Sequence, residues 1–180
     1  KGFRKQAKKK ETELNEALLS ATRNGKLPVV CDMSPCLLHM RETLDPRLKL
    51  YDQVDFIHDF LLNRLQFTRQ PVSIAIHNTC STTKMQIEDK FYRVASLCAE
   101  KVIVPENVTC CGWAGDRGFF HPELNRSALA PLEHAKLDAT EGYSNSRTCE
   151  IGLSVNSGIA YKSLVYLVDK CTAALEINKQ

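Results

Sequence analysis

The feature that most limits how this chain can fold is that it repeats itself. Residues 51 to 59, YDQVDFIHD, match residues 161 to 169, YKSLVYLVD, in the tyrosine, three apolar positions and the closing aspartate. Upstream of each stretch a Gly-Phe pair (Gly2-Phe3, Gly118-Phe119) opens a helical pattern that leads to a cysteine: SPC ending in Cys36, and RTC ending in Cys149. A unit repeated in one chain has to bury its apolar face against a neighbour, and a second copy of the unit is the nearest one available. The expected organisation is a first unit over residues 1–70, truncated at its N-terminus, and a second, complete unit over 71–180. In the second unit HNTC (77–80) and CCGWAGDR (110–117) precede the helix after Gly118-Phe119, whereas the first unit opens at Lys1. A matching cysteine loop is therefore expected upstream, in a longer parent protein.

Local patterns give the class of the units. Leu14, Ala17, Leu18 and Ala21 recur at helix spacing until Gly25, and LPVVC (Leu27 to Cys31) reads as a short strand. Ser34 and Pro35 suit a helix start. A helix is expected over Gln53 to Leu65, a strand from Pro71 (VSIAIH), a helix from Lys84 to Cys98, a strand at Lys101 to Val104, and a helix from Pro122 to Leu137. Strands alternating with helices pair in parallel, so the expected fold is α/β, with short parallel sheets flanked by helices and functional loops at the carboxyl ends of the strands.

Cysteine is the unusual residue. The chain has 8 in 180 residues, too scattered for a secreted disulfide scaffold, and a reducing, cytoplasmic setting is the expectation. Cys110 and Cys111 are neighbours, a poor geometry for bridging each other. Cys80 follows VSIAIH, the Cys110-Cys111 pair follows the strand KVIVP, and Cys149 follows the turn-rich EGYSNSRT. The intervening segments have room for a helix and a strand, so these four thiols can converge at one edge of a sheet. Four thiolates suit zinc or an iron-sulfur cluster. The chain has no short C-x-x-C hook of the structural zinc kind, and adjacent cysteines reach separate iron corners more readily than one ion. Gly112, Gly115 and Gly118 would let the loop turn tightly and turn its amides toward cluster sulfides. Cys98 and Cys171 sit on apolar helix patterns and read as core, and Cys31 as a strand residue. By the repeat, Cys36 corresponds to Cys149 and would be an orphan ligand of the first unit. His77 reads as a core histidine, with a supporting donor role as the alternative.

Composition excludes some partners. Hydrophobic residues make up 43% and charged residues 25%, ordinary for a globular protein, and no apolar run is long enough to span a bilayer. The net charge of +3 comes largely from KGFRKQAKKK at the amino end. Apart from Phe3, no aromatic residues interleave with the lysines to offer a stacking surface, so a solvated helix face is expected and a nucleic-acid partner is not.

HNTC, TCCGWAGDRGF and SRTCEIGL together resemble the cysteine-rich CCG domain of heterodisulfide reductase subunits, of anaerobic glycerol-3-phosphate dehydrogenase and of glycolate oxidase iron-sulfur subunits. NGKLPVVCDMSPC and LVYLVDKCT are similar to the carboxyl-terminal region of bacterial FAD-linked, NAD-independent D-lactate dehydrogenases. The resemblance implies a duplicated α/β domain whose second motif binds a cluster through Cys80, Cys110, Cys111 and Cys149. Where many such domains end in C-x-x-C, this chain reads CEIG, with Gly152 last, which sets an ordinary 4Fe-4S cluster above a five-cysteine noncubane one. The resemblance also implies a parent whose upstream FAD and ferredoxin-like domains oxidise D-lactate or a related 2-hydroxy acid, with electrons passing to a quinone or cytochrome. Such a protein would be cytoplasmic or peripheral to the inner face of the membrane. None of the flavin machinery is in this chain, so it should not be catalytic alone. A zinc-stabilised or metal-free docking lobe, and a heterodisulfide-reductase-like thiol redox domain, remain the alternatives.

Overall fold

The computed structural model describes residues 2–134 and 137–175. It is an α/β structure with parallel sheets flanked by helices. The chain opens with α1 (Arg4–Ala21), in which no residue is fully buried, in keeping with a solvated face. The helix stops where Arg23, Asn24 and Gly25 turn to positive φ. Gly25 also packs so closely on the Arg47 carbonyl that a side chain would overlap it. Then β1 (Pro28–Cys31) pairs in parallel with β2 (Lys49–Asp52), joined by α2 (Ser34–Thr43). At α3 (Gln53–Phe56) the Asp52 carboxylate caps the helix by accepting the Val54 N–H at 2.8 Å.

The helix expected over Gln53 to Leu65 is shorter than its periodicity suggested. After Phe56 the backbone widens into a π-helical turn (Ile57–Leu61), and Leu65–Phe67 is a strand, β3, held by a distant partner. Next come β4 (Gln70–Ile76), α4 (Cys80–Met85) and α5 (Glu88–Cys98). The single helix expected from Lys84 is therefore two helices, separated at Gln86, whose φ of 57° ends the first. Thr79 caps α4 through the Thr82 N–H at 3.1 Å, which starts that helix at Cys80. The chain continues through β5 (Ala99–Ile103), α6 (Arg117–Phe120), α7 (Pro122–His134), β6 (Glu141–Ser144), α8 (Arg147–Ser157), β7 (Tyr161–Ser163), α9 (Leu164–Cys171) and β8 (Thr172–Ala174). The helix from Pro122 is described as far as His134, residues 135–136 lie outside the described residues, and Leu137 is not helical.

Four strands form one parallel sheet in the order β5-β4-β6-β7, while β3 and β8 pair antiparallel, a connection the sequence patterns did not suggest. One face of the large sheet carries Ile74, Ile76 and Tyr143 against Phe91, Val94, Leu164 and Leu167. The other carries Ala75 against Trp113, Leu129 and Leu153. Cys98 and Cys171 belong to the first of these clusters, as expected.

Aligning Cys36 with Cys149 sets β1 on β6 from first residue to last and makes Ser34 and Arg147 the matching helix starts. The matched segments also face each other. The Ser34 N–H donates to the Asn145 carbonyl at 3.2 Å, the Arg147 N–H points at the Met33 sulfur at 3.4 Å, and the Ser163 hydroxyl donates to Gln53, its own counterpart, at 3.1 Å. Reciprocal contacts of this kind are those of a two-fold relation.

A buried polar network fills this junction. Asn145 Oδ1 accepts from the Thr82 hydroxyl at 2.9 Å and Asn145 Nδ2 donates to Asp52 at 3.1 Å, while Ser34, Thr79 and Ser81 join hydroxyls around them. Burial pushes the Asp52 carboxyl up to about 6, against the lowering effect of its two hydrogen bonds. A carboxyl raised in the folded state contributes stability below its unfolded value, and that contribution is lost as pH rises through about 6. Chemical denaturation of wild type and Asp52→Asn between pH 4 and 7 is thus expected to show wild type losing about 2 kcal/mol relative to the variant. A constant difference across that window would mean Asp52 does not titrate in it.

Candidate metal centre

The four thiols come from three connections at the carboxyl ends of parallel strands. Cys80 is the first residue of α4, just past β4, and Cys149 lies in the first turn of α8, just past β6. Cys110 and Cys111 lie between β5 and α6. Cys111 and Cys149 are buried with their sulfurs 2.9 Å apart, and Cys80 and Cys110 are exposed. Cys80 is close enough to feel Cys110 and Cys111, which along with the larger effect of burial raise its thiol. Cys149 senses both Cys111 and Cys80. The hydrogen bond between Cys111 and Cys149 is the largest influence on both thiols, lowering Cys111 and raising Cys149.

The loop between β5 and α6 is held from behind. Asn125 on α7 donates to the Cys111 carbonyl and accepts from Asn156 on α8. Gly112, at a φ of +70°, packs where a side chain would lie 2.6 Å from the Leu124 carbonyl, and its N–H donates to the Cys110 sulfur at 3.3 Å. Gly115 also has positive φ, with open space around it. Gly118 sits inside α6 with its Cα against the Trp113 ring, which a side chain would overlap. Gly152, at the position where the resemblance has a fifth cysteine, is buried against Asn125 and Trp113 in the same way.

Two buried ring nitrogens nearby lack partners among the described residues: the Trp113 indole N–H and Nε2 of His77. Reading His77 as a satisfied core histidine therefore needs correction. Its ring is buried, with the titration pushed down to about 4, so it is neutral, yet Nε2 has no bond. His77, Cys80 and Cys110 line a cavity of about 500 Å³ with Ile76, Val104 and Val108. Cys36 is exposed on α2, close enough to Cys31 to add to the rise that burial produces in that thiol.

Among the described residues no group of three or more His, Cys, Asp or Glu side chains is drawn tightly enough to hold a single metal ion. Cys111 and Cys149 are in contact and Cys80 lies close enough to feel Cys110 and Cys111, with the unpartnered Trp113 indole N–H in the same cluster as Cys111 and Cys149. Among those residues no helix is long and apolar enough to cross a membrane. Comparison with protein-family models, with curated proteins and with solved structures finds no match for this chain.

Proposed function

We propose that this chain is an iron-sulfur electron-transfer domain of a larger FAD-linked oxidoreductase, one that oxidises D-lactate or a related 2-hydroxy acid and delivers electrons to a quinone or cytochrome. The observation that carries the reading is the placement of Cys80, Cys110, Cys111 and Cys149 just past the carboxyl ends of three neighbouring strands, with two buried ring nitrogens left unpartnered nearby. Four soft donors, two of them adjacent in sequence, suit a multi-iron group, which offers separate corners to separate thiolates. When bound, a 4Fe-4S cluster supplies one-electron transfer.

The residues of the chain do the rest. Cys80, Cys110, Cys111 and Cys149 would hold the cluster, and Cys111, lowered to about 7, loses its proton most easily for ligation. Asn125, Gly112 and Gly118 hold the loop in place. The backbone N–H of Gly112 already points at a ligand sulfur, and such bonds set the potential of a centre.

The lowered Cys111 beside Cys149 is also what a dithiol redox centre would show. Its burial argues against that reading, because exchange chemistry needs an accessible sulfur. Iron, zinc and acid-labile sulfide analysis of protein purified anaerobically, with an EPR spectrum after dithionite reduction, separates the readings. About four irons and four sulfides per chain are expected for the relay. One zinc without sulfide would make this a structural lobe, and a metal-free protein with a reversible Cys111–Cys149 bond would make it a thiol redox domain.

A further inference from the structure

One buried ring stands apart from the polar groups around it. Where β4 and β6 run out, Thr79, Ser81, Thr82 and Asn145 bond one another, and Asn145 also reaches Asp52. The imidazole of His77, three residues before Cys80, is 2% exposed, yet its Nε2 has no partner among the described residues. The backbone of His77 is tied to β6 twice: its N–H donates to the Tyr143 carbonyl at 2.9 Å, and its carbonyl accepts from the Ser144 hydroxyl at 3.4 Å. Burial alone pushes the ring's titration down to about 4, so at neutral pH it is uncharged, with one nitrogen protonated and the other bare. A buried polar atom left unpaired among satisfied neighbours calls for a partner that the chain itself does not supply.

The surroundings of the ring point to that partner. Along β4, Ile74 and Ile76 pack with residues of α5 and α9, whereas Ala75 belongs to the cluster that holds Cys111, Trp113 and Cys149. His77 continues the alternation on the Ala75 side. It also lines the cavity of about 500 Å³ with Cys80 and Cys110. The ring thus shares a sheet face with two of the candidate ligands and a cavity with the other two. We propose that His77 donates its Nε2–H to a sulfur of the centre held by Cys80, Cys110, Cys111 and Cys149, and thereby raises the reduction potential of that centre. This role rests on reading the four thiols as ligands of an iron-sulfur group. Reduction adds negative charge to such a group, and an N–H aimed at its sulfur stabilises the reduced form more than the oxidised one. His77 is not itself a ligand, because four thiolates already fill the four corners of a 4Fe-4S cluster.

His77→Leu removes the N–H and keeps a buried apolar side chain, while His77→Gln returns an amide donor. Iron, sulfide and the midpoint potential in an EPR-monitored dithionite titration are compared for wild type and both variants, all purified anaerobically. His77→Leu is expected to keep about four irons per chain and to titrate at a lower potential, and His77→Gln to return toward the wild-type midpoint. An unchanged midpoint in His77→Leu, a midpoint in His77→Gln no nearer to wild type, or loss of iron from both variants would each overturn the role. A second measurement needs no metal. In metal-free wild type carrying nitrogen-15 histidine, a long-range proton–nitrogen correlation spectrum at neutral pH is expected to show His77 protonated on Nε2, assigned as the signal that His77→Gln lacks. A proton on Nδ1 instead leaves Nε2 nothing to donate and overturns the role without reference to iron. Wild type free of iron and sulfide would end the electron-transfer reading and this role with it, whereas loaded wild type whose potential ignores His77 ends this role alone.

Discussion

Cys111→Ser is expected to reduce bound iron from about four per chain to fewer than one, with matching loss of labile sulfide. The position tolerates no substitute donor. Its sulfur contacts Cys149, its carbonyl is held by Asn125, and the following residue is a positive-φ glycine packed on α7, so the chain cannot slide another thiol into place. Serine keeps the shape and replaces a soft donor with a hard one. Cys98→Ser is the control: that thiol is fully buried between α5 and α9, pushed up to about 12 by burial first and Cys171 second, and it stands before the amino end of β5 rather than past a strand's carboxyl end. It should cost packing and leave iron unchanged. Equal loss in both variants, with circular dichroism showing both folded, would sink the ligand assignment.

The second large effect concerns the ion cluster beside the junction. Asp55 is buried and meets Arg41 and Lys90 at 2.9 Å each, while the two cations are about a third exposed. The carboxylate is the group that cannot recover its water. Arg41→Met together with Lys90→Met is therefore expected to lower unfolding free energy by about 3–5 kcal/mol, the cost of leaving a buried charge unpaired. Adding Asp55→Leu to that pair should restore much of the loss, because the aligned position in the second unit is Val165 and an apolar residue suits that place in the helix. Urea titrations of the double and triple variants read this directly. A triple variant no more stable than the double would show that packing around Asp55, rather than its charge, sets the cost.

The repeat was readable because it lies in spacing: a tyrosine, apolar positions and an aspartate mark the same helix start twice, and the strands and helices follow them. The helix over Gln53 to Leu65 was misjudged for a physical reason. Leu61 and Leu65 continue the apolar stripe, and nothing in a stripe distinguishes a π-helical turn and a following strand from more helix. The three-residue strands β3 and β8 carry no alternation to detect, and only each other's backbone makes them strands. Gln86 is a poor candidate for a left-handed residue by type, so the break between α4 and α5 was hidden as well. The cysteines fell where strand ends were expected. That Gly118 and Gly152 are required by the bulk of Trp113 could be learned only from packing. A lone tryptophan among three glycines was the available signal.

The antiparallel pairing of β3 with β8 has a consequence for how the molecule is made. Leu65–Phe67 leaves the ribosome before β4 to β7 have been synthesised, and its partner Thr172–Ala174 emerges only after them. That stretch must therefore wait unpaired while all the intervening sequence is translated. Closing the β3–β8 pair is then a late, long-range step, and a product terminated between the two strands is a substrate for chaperones rather than a folded half.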